Sequence, residues 1–416
     1  MATADQIIVG IDIGTTKVCA VAAESDGQGK INVLGIGLAE SDGLNRGVVV
    51  NIDKTVASIQ KAIDATERAA DVEIQNVIVG IAGDHIKSYE STGVITIANQ
   101  EISNKDVKRL LEDTASVKIE DDKEILHIIP QEFIVDSQDG VHDPVGMRGV
   151  RLKANVDIIT GDVHAMKNIY RCIEKAGYHV IDVVLEPLAS SFSVLHEDEL
   201  IAGVALIDIG GGTTDVAVFE DHKIRHTAVI AIAGNNVTED IRKGLGVMRN
   251  YAEQLKCQFG CAMVDYTDDQ DQIKIPGLGG RPDKIISSST LAQMIQPRLE
   301  EILEIAHLEI RRSKYAAHLQ VAVLTGGGSK IPNIKELADE ILGLDTRIGS
   351  PTKRGSGLWE EVSDPKYATG TGLVQYGLSP HFLGDIHGTG VGGALHSKGS
   401  GTGNFFAGIK RWFDEL

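Results

Sequence analysis

The chain has 416 residues, 42% of them hydrophobic, which allows two or three buried cores at roughly 150 residues per domain. Its net charge of −19 excludes a protein that coats nucleic acid, because phosphate binding needs a field of Lys and Arg, and anionic lipid would repel so acidic a body. Residues 1–5 hold no basic stretch ahead of an apolar run, and no window approaches the ~20 apolar residues of a spanning helix, so a cytoplasmic body with only local, apolar membrane contact is expected.

The first element, residues 9–21 (VGIDIGTTKVCAV), runs from an apolar strand through Asp12 and a Gly-Thr turn into a second alternating strand. This is a β-hairpin pattern. It returns at 205–219 (ALIDIGGGTTDVAVF), so two similar halves are expected. Helical periods at 52–70, 163–177 and 289–314, with strands at 77–81 and 180–185, predict α/β domains. Residues 84–162 read as an insertion with strands at 125–128 and 150–159 and a helix opened by Ser103, whose hydroxyl suits an N-cap. At 321–333 (VAVLTGGGSKIPN) an apolar strand ends in three glycines, and Pro332 suits the first position of a helix. Cys19, Cys172, Cys257 and Cys261 lack zinc or paired spacing and read as buried, reduced thiols, with Cys257 and Cys261 packed in a helix.

Residues 383–403 are mostly Gly, Ser, Thr and His, too poor in apolar side chains to offset chain entropy, and read as a flexible tether. The final segment, 404–416, carries Phe405, Phe406, Ile409, Trp412, Phe413 and Leu416 at helical spacing on one face. Lys410 and Arg411 lie elsewhere on that helix with Asp414 and Glu415. Such a face suits a lipid interface; packing on the chain's own body or on a partner are the competing readings.

A triphosphate needs closely approaching backbone N–H groups, hydroxyl donors and a carboxylate that holds a metal through water. Gly14, Thr15 and Thr16 supply these in the first hairpin, with Asp12 toward magnesium and Lys17 adding charge. Gly210, Gly211, Gly212, Thr213 and Thr214 match them from the opposite side, with Asp208 and Asp215 as further carboxylates. Neither turn is a Walker motif, since no Gly-Lys-Ser/Thr follows and a strand rather than a helix comes next. One Gly-Thr turn is usually only a turn, whereas two matched Asp-x-Gly hairpins are a far stronger signal. Gly326, Gly327 and Gly328, lacking Cβ, let an adenosine lie against backbone.

These three elements, in this order, resemble the two phosphate motifs and the adenosine motif of the actin, DnaK and hexokinase superfamily. Residues 185–191 (LEPLASS) and 367–377 (YATGTGLVQYG) resemble its two connecting helices, and 252–260 (AEQLKCQFG) resembles the segment whose Glu253 and Lys256 reach the nucleoside. The insertion with HIIPQEF (127–133) and DPVGMRGVRL (143–152), the GGRPDK at 279–284, and the glycine-rich tether with its amphipathic tip are similar to the FtsA family. The resemblance spans nearly the whole body and implies an actin-like (ribonuclease H-like) two-domain α/β fold with ATP and Mg²⁺ in the cleft. It further implies an FtsA-type inserted 1C subdomain. The implied organisation is domain 1 at 1–83, 163–203 and 367–382, the insert at 84–162, domain 2 at 204–366, a linker at 383–403 and the membrane-targeting helix at 404–416.

Hydrolysis needs a group that positions water; the resemblance points to Glu186, with Asp208 beside the metal. A Glu before a Pro suits a surface helix start equally well. The family further implies actin-like polymerisation and a location on the cytoplasmic face of the inner membrane at the septum. Its implied partners are the FtsZ C-terminal tail on domain 2, with Lys284 and Arg298 as candidate cations, and later division proteins on the insert. A pilus-assembly relative and a metabolic kinase of the same superfamily are the alternatives.

Overall fold

The echo in the sequence is an echo in strand pairing. In the computed structural model, which describes residues 7–25, 30–115, 119–277 and 282–379, Ile7–Ile13 pairs antiparallel with Lys17–Ser25, and Val204–Ile209 pairs antiparallel with Thr214–Glu220. Each hairpin seeds a sheet. The first runs Ile31–Glu40, Lys17–Ser25, Ile7–Ile13, Asn76–Ile81, His179–Leu185, and the second runs Lys223–Ile230, Thr214–Glu220, Val204–Ile209, Val321–Thr325, Asp345–Ile348. The order is the same in both, with three antiparallel strands followed by two parallel ones. Parallel neighbours need crossovers long enough to hold helices, which then cover the sheet.

Those helices have local reasons for their ends. Ile52–Ala70 starts where the Asn51 side chain accepts the Lys54 N–H at 3.1 Å and stops at Asp71, whose φ is 54°. It packs closely on Ile31–Glu40 because Gly37 has no side chain; a Cβ there would fall 1.9 Å from the Ala62 carbonyl oxygen. Val163–Ala176 is capped by Asp162, which accepts the His164 and Ala165 N–H groups at 2.9 Å. Ser288–Arg312, capped by Ser287, buries Leu291, Ile295, Leu299, Ile302 and Leu303 in the core of the second half.

Between the fourth and fifth strands of the first sheet lies the insert. Its antiparallel sheet has the order Lys87–Thr96, Arg151–Asp162, Lys123–Val135, Gln138–Val141, and helix Asn104–Ala115 packs Leu110 and Leu111 with Phe133, Leu152 and Val156. The Ser103 hydroxyl does not cap this helix as expected. It donates to the Asp106 carboxylate at 2.6 Å, which also accepts the Ser103 N–H at 3.1 Å, so the acid reaches back over the helix start instead.

Two helices join the halves. Glu186–Val194 and Ala368–Gly377 touch backbone to backbone, since a Cβ on Gly372 would lie 1.8 Å from the Ala189 carbonyl oxygen. Their side chains share one core with Cys19 and Val21 of the first hairpin and Leu206 and Ala217 of the second. The chain rejoins the first sheet before residue 367: Gly355–Gly357 pairs with residues 31–33, and the Trp359 indole donates to the Ile31 carbonyl at 3.0 Å. Two cysteine expectations change. Cys257 is exposed, and Cys261, although buried, lies beyond the helix Arg249–Phe259 that holds Cys257. The tether at 383–403 and the segment 404–416 lie outside the described residues.

Candidate functional site

Both hairpin turns close with the same bond, Gly14 N–H to the Lys17 carbonyl and Gly210 N–H to the Thr213 carbonyl, each at 3.0 Å. They meet face to face. A Cβ on Gly211 would fall 2.2 Å from Thr16 Cγ2, and one on Gly212 would fall 2.4 Å from Thr15 Oγ1, so only glycine permits this approach. Beneath them is a cavity of about 370 Å³ to which Asp12, Gly14, Thr15, Thr16 and Lys17 contribute from the first hairpin, and Asp208, Gly210, Gly211, Gly212, Thr213 and Asp215 from the second. Glu186, Glu253, Lys256, Gly326, Gly327 and Gly328 complete its walls.

Thr214 does not join them. It is the first residue of its strand, paired with Ile209, and its fully buried hydroxyl donates to the Ile232 carbonyl at 2.8 Å. Residues the sequence reading missed are Gly234 and Asn235, whose N–H groups bond the Gly210 and Gly211 carbonyls at 3.1 and 2.8 Å, and Thr369. The Gly-Asn pair opening helix Gly234–Leu245 was a signal, because a helix N-terminus beside a glycine turn collects N–H groups.

The site is crowded with acids. Lys17 Nζ lies 2.5 Å from Asp12 Oδ2; burial opposes the lysine charge, but Asp12 together with Cys19 and Asp208 overcomes it and the pKa is raised. Asp208 accepts the Ser190 hydroxyl at 2.9 Å, yet burial, with Asp12 nearby, pushes its pKa up to about 6. Burial and then Asp208 raise Asp215 well above the ordinary carboxylate range, and among the described residues its buried Oδ1 has no hydrogen-bond partner. Glu186 is raised as well, by burial and then by Asp12, Asp215 and Asp208. It faces the cleft from the first turn of its helix, so the surface reading does not hold.

This arrangement suits a bound cation: like charges brought together in a low-dielectric space are relieved either by protons or by a metal. Among the described residues no three such groups converge at direct ligand spacing.

On the far side, Lys256 Nζ donates to the Gly234 carbonyl at 3.1 Å, Thr238 at 2.9 Å and Glu253 at 2.8 Å. Burial works against the Glu253 charge, but Lys256 together with hydrogen bonds from Thr238 and Cys257 overcomes it and holds the pKa low. Gly326 has φ 81°, and a Cβ there would lie 2.2 Å from Asp208 Oδ1; Gly328 packs against Ile209, while Gly327 has nothing within 4 Å. Pro332 does not open the following helix. Gly327–Lys330 forms a 3₁₀ turn, and helix Ile334–Leu342 begins after Asn333, held at φ 63°.

The candidate partner cations do not line this cleft. Lys284 is exposed on the edge strand Lys284–Ser287, its amine 3.4 Å from the Leu245 carbonyl. Arg298 is not free: its guanidinium forks onto Asp240 at 2.6 and 3.2 Å and also holds Glu301. Phe405, Phe406, Ile409, Lys410, Arg411, Trp412, Phe413 and Leu416 lie outside the described residues.

Residues 205–372 match the family model for cell division protein FtsA, and residues 83–160 match that for the SHS2 domain inserted in FtsA. The chain is 43% identical to cell division protein FtsA of Pseudomonas aeruginosa over 98% of its own length and 97% of the relative's. It is 37% identical to the Escherichia coli protein of that name, over 92% of this chain and 93% of that one. The Bacillus subtilis relative is also 37% identical, over 89% and 83%. Among solved structures, the PilM–PilN type IV pilus biogenesis complex aligns with TM-score 0.67 at 15% identity, over 90% of this chain and 99% of that one. MreB5 of Spiroplasma citri bound to ADP aligns with TM-score 0.56 at 15% identity, over 92% and 99%. These two similarities show the actin-like fold.

Proposed function

The chain belongs to the FtsA family of cell division proteins, and from that premise we propose that it binds ATP with Mg²⁺, polymerises like actin, and tethers the FtsZ ring to the cytoplasmic membrane. The observation that carries nucleotide binding is the paired turns closing on a carboxylate cluster in which Asp215 Oδ1 is buried without a partner. Gly14, Thr15, Thr16, Gly211, Gly212 and Thr213 are suited to the β- and γ-phosphates, with Lys17 balancing charge. Gly326 and Gly328 suit the adenosine, and Glu253 and Lys256 the nucleoside. The ADP-bound MreB5 on the same fold supports this assignment.

Asp12 and Asp208 would hold Mg²⁺ through water, and the ion would supply positive charge against phosphate and carboxylate oxygens. Glu186, which lines the cleft, is the candidate for positioning water, and burial with Asp12, Asp215 and Asp208 nearby raises its pKa. The proposed turnover is slow at most.

For the FtsZ tail the proposed surface is the Lys284–Ser287 strand with the following helix. Of the two candidate cations, Lys284 is the one held by no ion pair among the described residues, since Arg298 would have to surrender its fork on Asp240. Later division proteins are assigned to the insert. Membrane attachment is assigned to residues 404–416, where one copy binds weakly and a filament binds by avidity; among the described residues no helix is long and apolar enough to cross a membrane. The proposed location is the cytoplasmic face of the inner membrane at the septum.

The test is co-sedimentation with anionic vesicles of the intact chain and of a version ending at Gly403, with and without ATP and Mg²⁺. Sedimentation of the intact chain alone supports the tether. If both stay in solution in every nucleotide state, the tether reading fails and the pilus-type reading returns.

A further inference from the structure

Away from the cleft, the seam between the insert and the second half encloses a polar cavity of about 930 Å³, a volume typical of small-ligand sites. One wall is the edge strand Lys223–Ile230 of the second sheet, together with Tyr315; the other comes from the insert strands Lys87–Thr96 and Arg151–Asp162. The edge strand is irregular at its start. Phe219 faces Ile224 and Val218 faces His226, so Arg225 is bulged out, and Lys223, Arg225 and His226 all reach the cavity.

Of these three groups, Lys223 is the one without a close partner among the described residues, whereas Arg225 and His226 are each held by carboxylates. Lys223 is only 2% exposed, and among the described residues its amine makes no hydrogen bond or ion pair. Burial, with Arg225 adding to it, lowers its pKa to about 8. Among the described residues Arg225 Nε and His226 Nε2 are buried without a close hydrogen-bond partner, and burial lowers the His226 pKa, so the ring serves as a neutral donor. Glu220 and Asp221 stand 3.8 and 3.5 Å from the guanidinium, and Glu309 stands 3.7 Å from the His226 ring, so the balance is only partial. The Arg225 guanidinium is fixed over the Tyr315 ring at 5.0 Å and donates to the Gln131 carbonyl of the insert at 3.1 Å. Burying an ammonium without a partner costs several kcal/mol, so such a residue lowers stability unless a ligand completes it.

The facing wall has the opposite chemistry. Asp157 is pushed up to about 7 by burial and then by Glu90, so near neutrality it both donates and accepts hydrogen bonds. Glu90 holds Lys314 across the mouth at 2.6 Å. A buried, unpaired Lys223 beside Arg225 and His226 on one side, edged by Asp221, and the Asp157 and Glu90 carboxyl groups on the other suit a ligand with an anionic end and a donor-bearing body.

We propose that this seam binds a phosphate ester whose body carries hydroxyl or amine groups, its phosphate held by Lys223, Arg225 and His226 and its body by Asp157 and Glu90. Such a ligand ties the insert to the second half and fixes the insert's orientation on the body. The proposal goes beyond the tether function and does not depend on it.

The test uses the full chain with saturating ATP and Mg²⁺, so that the cleft is not the site read. Inorganic phosphate, glycerol 3-phosphate and a hexose phosphate are titrated by calorimetry and thermal melting. A hexose phosphate is expected to bind about tenfold tighter than inorganic phosphate and to raise the melting midpoint by about 2–4 °C. Lys223→Met is expected to abolish the response while leaving the unliganded midpoint equal or higher, and Arg225→Gln to weaken binding about tenfold. Equal responses in wild type and Lys223→Met, no response in wild type, or a lowered unliganded midpoint in Lys223→Met would each overturn the proposal. ATP affinity measured on the same variants keeps a failed cleft reading distinct from a failed seam site.

Discussion

The two hairpin turns share backbone geometry and differ in charge. Gly14 and Gly210 donate the same bond at the same 3.0 Å, which makes Lys17 the counterpart of Thr213 and Cys19 the counterpart of Asp215, the residues paired with Asp12 and Asp208. The first half thus contributes one acid with its own cation and a thiol, pushed by burial up to about 12 and so neutral. The second contributes two acids and a hydroxyl. A duplicated scaffold has become a site with one neutralised wall and one uncompensated wall, and the uncompensated wall is where a cation has work to do.

Making the first turn resemble the second tests this asymmetry most severely. Cys19→Asp would bury a second carboxylate beside Asp12, and a loss of about 3–5 kcal/mol in urea unfolding is expected. A loss below about 1 kcal/mol would show that the first wall tolerates charge as the second does.

Next in size is a pH effect on the second turn alone. Asp208 is raised from 3.8 to about 6, so the folded state holds its proton more tightly than the unfolded state. Its contribution is favourable at low pH and is lost as pH rises through that window, a fall of about 2–3 kcal/mol in unliganded stability. Asp208→Asn should flatten the window, and Mg²⁺ with ATP should flatten it in the wild type. An unchanged slope in Asp208→Asn would assign the effect to Asp215 and Glu186.

Lys17→Met removes the cation that only the first turn possesses. ATP affinity with Mg²⁺, read by fluorescence competition, is expected to fall about tenfold, or roughly 1.4 kcal/mol. The smallest effect belongs to its counterpart: Thr213→Val loses a long 3.4 Å bond to Asp215, and unfolding stability should change by under about 1 kcal/mol.

The hairpins, the main helices and most of the cleft residues were legible because their signals are local. Alternation with period two marks a strand, and Asp-x-Gly marks the turn that ends it. Where the reading failed, the deciding contact came from elsewhere in the chain. Thr214 sits next to Thr213 in sequence but faces Ile232, because the first strand residue turns its side chain away from the turn. Arg298 looked like a free helix cation, and its partner Asp240 is on another helix. Pro332 suited a helix start, yet the glycines wound into a 3₁₀ turn first.

By itself the sequence determined the two matched halves, the position of the insert, the nucleotide-cleft candidates and the family to which the chain belongs, because each rests on runs of neighbouring residues. Only the tertiary structure decided that Glu186 is half-buried in the cleft beside three aspartates, and that Lys17 answers Asp12 while, among the described residues, nothing bonds Asp215 Oδ1. Charge state depends on desolvation and on neighbours brought together by folding, and neither is written in local order.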